Sequence, residues 1–181
     1  MLVTLDGVPW RRLPLEVVAH VGLAVDSDLG RAELRELRRE LRRVEALDAA
    51  ARALVHRDRS RAAVRAKLAA AGIAPWAREQ ALMSLERAGV LDDHRFARSR
   101  AAALAARGSG DALIRAELLE ADVPEELIGA AIDELEPERE RAIRIVAERG
   151  ETAATGRRLA RRGFSEDAIE AALPGLVADG P

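Results

Sequence analysis

Arg57-Asp-Arg59-Ser60-Arg61-Ala-Ala-Val64-Arg65-Ala-Lys67-Leu68-Ala-Ala-Ala-Gly72-Ile73 holds a complete short helix with its punctuation. Ser60 is a preferred N-cap residue and Gly72 a preferred stop. Val64 and Leu68 make an apolar stripe one turn apart, and Arg61, Arg65 and Lys67 load the other faces with positive charge. The order is cap, short amphipathic helix, glycine, apolar residue.

That order returns twice downstream. With Leu68, Leu118 and Leu159 set equal, Gly72, Asp122 and Gly163 coincide, followed by Ile73, Val123 and Phe164. Further on, Ala81-Leu82, Ala131-Ile132 and Ala172-Leu173 fall in register, then Leu85, Leu135 and Leu176. A connecting helix ends ahead of each pair, near His56, Arg107 and Arg149. Self-similarity at this period is the signature of stacked helical units, none of which buries much surface alone.

The remaining signals agree. Pro75, Pro124 and Pro137 suit first helical turns, and Asp92, Thr152 and Ser165 suit N-caps. From about Gly30 to Arg57, Leu34, Leu37, Leu41, Val44, Ala51 and Val55 recur at three and four, predicting one long helix or two that nearly merge. Its arginines alternate with Glu33, Glu36, Glu40 and Glu45, a mixture that supports a solvated helix. Only residues 1–12 read as sheet, with Asp6-Gly7 as a hairpin turn and Trp10 as the expected anchor on the following helix. Asp26-Ser27-Asp28 is expected to cap the long helix. The chain is thus expected to be mainly α. A small N-terminal β-hairpin and helical extension over 1–47 precedes three tandem three-helix repeats over 48–91, 92–135 and 136–181. They form an elongated array that flexes near Asp92-Asp93 and Glu136-Pro137.

Composition limits the function. Of 181 residues, 49% are apolar but only 2% aromatic, so the interior is built from Leu, Val, Ile and Ala. Basic and acidic residues number 29 and 31, a net charge of −2, which gives no general attraction to nucleic acid or anionic lipid. Any basic surface is local. Cysteine is absent, which fits a reducing interior, and no apolar run reaches the roughly 18 residues of a membrane span, so a cytoplasmic protein is expected. His20, His56 and His94 lack metal-ligand spacing, and Asp92-Asp93 reads as capping rather than as an acid pair. Gly108-Ser109-Gly110 has neither the preceding strand nor the Lys-Ser/Thr of a phosphate loop. Neither catalytic residues nor a cofactor or metal are expected.

What recurs with the repeat is arginine. Arg57, Arg59, Arg61, Arg65 and Lys67 mark the first module, Arg95, Arg98, Arg100, Arg107 and Arg115 the second, and Arg157, Arg158, Arg161 and Arg162 the third. Arg157 shares a helix face with Arg161, and Arg158 with Arg162. Guanidinium groups spaced along a repeat array suit a long, negatively charged partner.

The same residues carry a resemblance. Arg57-x-Arg59-Ser60-x3-Val64-x2-Lys67-Leu68-x3-Gly72, then Leu85-Glu-Arg-Ala-Gly89-Val-Leu91-Asp92-Asp93-His-Arg95-Phe96-Ala97, then Arg161-Arg162-Gly163-Phe164-Ser165-x3-Ile169 resemble the RecX family of bacterial recombination regulators. The resemblance spans roughly residues 48–176. It implies a non-enzymatic protein that binds the RecA filament on single-stranded DNA and restrains its recombinase, ATPase and co-protease activities; a monomer with weak direct DNA contact is expected. A direct helical-repeat DNA-binding protein and a generic protein-interaction scaffold are the alternatives. The chain departs from the family pattern at Asp122, where glycine is usual, in the Ala-rich segment from Ala142 to Gly156, and at Pro174, which should kink or end the last helix.

Overall fold

The computed structural model describes residues 1–26, 28–55 and 58–174. His56, Arg57, Ser27 and Leu176 therefore lie outside the described residues. Two strands, β1 (Leu2–Leu5) and β2 (Val8–Arg12), form an antiparallel hairpin through Asp6-Gly7. Ten helices follow among the described residues: α1 (Leu15–Val21), α2 (Arg31–Leu54), α3 (Arg61–Ala70), α4 (Pro75–Arg87), α5 (Asp93–Ala106), α6 (Asp111–Glu120), α7 (Glu125–Asp133), α8 (Glu138–Arg149), α9 (Ala153–Arg161) and α10 (Glu166–Ala172). This is the mainly helical repeat fold that the spacing predicts.

Local chemistry explains most boundaries. Ser60 Oγ accepts from the Ala63 N–H, Asp92 from Arg95, Thr152 from Thr155 and Ser165 from Ala168, each satisfying an otherwise unpaired N–H of a first turn. Asp122 departs from glycine yet has φ +52°, the left-handed conformation that aspartate tolerates better than most residues. Leu173 has left the helical region just before Pro174, so α10 stops where proline requires it.

Four small cores result. Leu13, Val17 and Val18 meet Leu37, Leu41 and Val44 of α2. The far half of α2 contributes Ala46 and Ala50 to a second core with Val64, Leu68, Ala77, Leu82 and Leu91. Ala97, Ile114, Leu118 and Ile128 centre the third, and Ala142, Val146, Leu159 and Phe164 the fourth. In the last three cores, each the interior of one three-helix module, the first helix of the trio packs on the third. Each such core is too small to offset much chain entropy alone.

The chain divides into two compact units: Met1–Asp58 with Val64–Leu91, and Arg59–Ala63 with Asp92–Pro181.

Two expectations are corrected. Trp10 does not anchor the hairpin: it is 39% exposed, with only the Arg11 guanidinium over its ring, and the buried residue is Leu13, whose N–H donates to the Met1 carbonyl at 2.8 Å. Asp26 and Asp28 do not cap α2, which starts one residue after an extended Gly30 that makes no side-chain cap. The segment Glu136-Pro137, expected to flex, lies within one compact unit. Its Glu136 carbonyl accepts from Arg141 Nε at 2.9 Å and its carboxylate pairs with Arg144, inside the second compact unit.

Candidate partner-binding surface

The second unit contains one seam twice. At the start of α3, Ser60 Oγ donates to the Ala121 carbonyl at 2.7 Å, and Asp93 Oδ1 accepts from the Arg61 N–H at 2.6 Å. At the start of α6, the Gly110 N–H donates to the Arg162 carbonyl at 2.8 Å, and Glu138 Oε1 accepts from the Asp111 N–H at 2.7 Å. These are equivalent positions. Ser60 and Gly110 precede Leu68 and Leu118 by the same interval, and Ala121 and Arg162 follow Leu118 and Leu159 by the same interval. Each middle helix thus has its N-terminal dipole met by an acidic first residue of the next trio's first helix. Nothing follows the third trio among the described residues, and there Thr152 caps α9 from within.

The second seam is tight. A Cβ on Gly110 would collide with the backbone of Gly163 and Phe164, and one on Gly163, at φ +79°, would lie 2.5 Å from the Leu113 nitrogen. The Gly108-Ser109-Gly110 break is therefore a seat for neighbouring backbone. Arg141, only 2% exposed, clamps it: Nη1 donates to the Ser109 carbonyl at 2.7 Å, another nitrogen pairs with Asp111, and the guanidinium stacks on Phe164 at 5.7 Å. Burial pushes the Asp111 carboxyl above its ordinary range; Arg141 opposes that shift and Glu138 adds to it.

The predicted arginines divide into three groups. One is held within the chain: Arg65 pairs with Glu79 at 2.9 Å, Arg98 with Glu134 at 2.6 Å, and Arg115 with Glu125. Arg162 joins them, since Nη2 donates to the Arg107 carbonyl at 2.8 Å and to Ser109 Oγ at 3.0 Å, and Nε to the Gly108 carbonyl at 3.1 Å. A second group converges. Arg107, Arg158 and Arg162 line one cleft of about 200 Å³ between the α5, α8 and α9 regions, together with Arg144, Arg149 and one carboxylate, Glu148. Among the described residues no carboxylate pairs with Arg149 or Arg158. Arg95 and Arg98 line a separate, shallower surface with Leu135. The third group is dispersed: Lys67, Arg157 and Arg161 are exposed, Arg59 and Arg61 half-buried at the first seam. Arg57 lies outside the described residues.

Sequence reasoning missed Arg141, Arg144, Arg149 and Glu138. For Arg141 a signal existed, because it occupies the apolar register of Ala142, Ile145 and Val146, where a charge implies a buried partner. Among the described residues no group of three His, Asp or Glu side chains is placed to hold a metal ion.

Comparison with known proteins bears on the same segments. The family profile "RecX, second three-helix domain" matches residues 92–132, which are α5 through α7. The regulatory protein RecX of Stenotrophomonas maltophilia (strain R551-3) is 40% identical over 129 residues, 66% of this chain and 79% of that one. This chain belongs to the RecX family. The RecX of Xanthomonas axonopodis pv. citri is 39% identical over 129 residues, covering 66% and 80% of the two chains, and that of Halorhodospira halophila 32% over 135, covering 69% and 84%. A crystal structure of a regulatory protein RecX superposes with TM-score 0.79 at 19% identity over 94% of this chain and 91% of that one. The RecX of Lactobacillus salivarius gives 0.66 at 17% over 76% and 97%. At those identities the RecX structures share the fold, and the sequence relatives place this chain among regulatory proteins. No described helix is long and apolar enough to cross a membrane.

Proposed function

We propose that this RecX-family protein binds the RecA filament assembled on single-stranded DNA and restrains its strand exchange, ATP hydrolysis and co-protease activity. The observation that carries the reading is the 40% identity to a named regulatory RecX over 129 residues, a stretch long enough to include several modules. The cleft of Arg107, Arg149 and Arg158 supports it, since guanidinium forks suit carboxylates and phosphates alike. The protein acts as a cytoplasmic monomer and without chemistry of its own: occupying the filament's groove is enough to exclude duplex DNA and slow protomer exchange. The working divisions are 1–47, 48–91, 92–135 and 136–181, with the seam at Gly110 holding the last two in register.

The test is co-sedimentation with RecA on single-stranded DNA, against bare DNA of the same length. Binding to the filament well above binding to bare DNA supports the reading. Equal binding to both, falling steeply with salt, overturns it in favour of a direct DNA-binding protein.

A further inference from the structure

The sequence mixes charges along α2, but the fold sorts them by face. Arg35, Arg38, Arg39 and Arg42 fall at i, i+3, i+4 and i+7, one stripe about 10 Å long on the side away from Leu37 and Leu41. All four are exposed, and among the described residues none has an ion pair. This sets them apart from Arg65, Arg98 and Arg115, whose charges are matched within the chain. Four like charges on one helical face repel one another, so an anion is the ligand that lowers their energy.

The stripe also has an aromatic floor. Trp76, at the start of α4, is 36% exposed and lines an open groove of about 530 Å³ with the four arginines and Gln80. The Arg39 guanidinium lies over the indole, 5.7 Å from its centroid. A row of unpaired cations beside an exposed indole and an amide is chemically composite: it offers charge to phosphates, a π-face to a base, and hydrogen bonds to a base edge. An acidic peptide would use the charges and leave the indole idle. A duplex would present phosphates but keep its base faces stacked.

We infer that Arg35, Arg38, Arg39, Arg42 and Trp76 form a binding site for single-stranded nucleic acid, with the phosphates along the arginine stripe and a base stacked on the indole. Its residues belong to α2 and α4 of the first compact unit, whereas Arg107 and Arg158 belong to the second. It also reconciles a near-neutral chain with a nucleic-acid partner, because the attraction is confined to one helix face. The inference goes beyond filament regulation and stands without it.

The experiment uses the full chain with Trp10→Phe, so that only Trp76 emits, and needs no RecA. Titration with a short oligodeoxythymidine should quench Trp76 saturably. Arg38→Gln with Arg42→Gln should weaken binding about ten-fold or more and flatten the slope of log K against log salt by about 0.7 per lost phosphate contact. Arg38→Lys with Arg42→Lys should keep most of that slope. Trp76→Leu, read by anisotropy of a labelled oligonucleotide, should lose about ten-fold while helix content and Tm hold. Absence of quenching overturns the site, as does an unchanged affinity in Trp76→Leu. Poly-glutamate or a duplex binding as tightly as the single strand also overturns it, the first pointing to an acidic protein ligand and the second to a generic polyanion surface. Failure here leaves the filament reading intact, and failure of the filament assay leaves this one intact.

Discussion

Arg141 is the residue on which the second seam depends. It is buried, and its nitrogens satisfy the Glu136 and Ser109 carbonyls and the Asp111 carboxylate. Arg141→Ala would leave the buried Ser109 carbonyl without its donor and the half-buried Asp111 carboxylate without its partner, and we expect a loss of about 1–3 kcal/mol, measured by urea unfolding. Glu40 is a second such residue, 4% exposed and gripped by Arg43 Nε at 2.9 Å through both oxygens, with His20 3.9 Å away. The hydrogen bond from Arg43 holds its carboxyl below the ordinary glutamate range, against the effect of burial. A lowered folded value means that the unfolded chain takes up the proton first. The stability from Glu40 is therefore present above the ordinary range and lost as pH falls through the folded value. Glu40→Gln should flatten the acid-side decline of the melting temperature, and calorimetry across that range checks it. Asp111 has the opposite sign, so its penalty is relieved on acidification. Both Glu40 and Arg141 sit in the apolar register of their helices, which hints at burial, but local order does not name the partner that answers either charge.

At the scale of elements, the punctuation was legible and the seams were not. Ser60, Pro75, Asp92, Thr152 and Ser165 announce helix starts because capping is a contact between residues three apart, fully written in local order. That Ser60 also reaches Ala121, or that Asp93 caps α3 rather than its own helix, depends on packing between distant segments. Trp10 misled for a related reason: aromatic size implies burial on average, but a two-stranded hairpin has one face to spare. Ser60→Ala removes an N-cap and orphans a carbonyl, and should cost about 1–3 kcal/mol by chemical denaturation. Two glycines at equivalent positions make a sharper comparison. Gly72 and Gly163 both have positive φ, but a Cβ on Gly72 meets nothing within 4 Å, whereas one on Gly163 strikes Leu113. Gly72→Ala should cost the left-handed penalty of about 1–2 kcal/mol, and Gly163→Ala clearly more, as judged by paired thermal melts.

For the whole molecule, the repeat spacing predicted a mainly helical array with a small hairpin, and its consistency from cap to stop to apolar residue made the fold readable. The surface was less readable, since spacing assigns a charge to a face without saying whether a carboxylate answers it. Arg162 illustrates this: it shares a face with Arg158, yet it is spent on backbone carbonyls at the seam. Reversing its charge would disturb folding and binding together. Arg157 and Arg161 are both exposed and test the surface without that confusion. Arg157→Glu with Arg161→Glu should weaken filament binding about ten-fold or more with helix content unchanged, if those charges face an anionic partner. The most direct test of the regulatory reading is single-stranded-DNA-dependent ATP hydrolysis by the cognate RecA during titration with this protein. The account predicts inhibition at amounts well below one molecule per RecA; hydrolysis unchanged up to equimolar protein would contradict it.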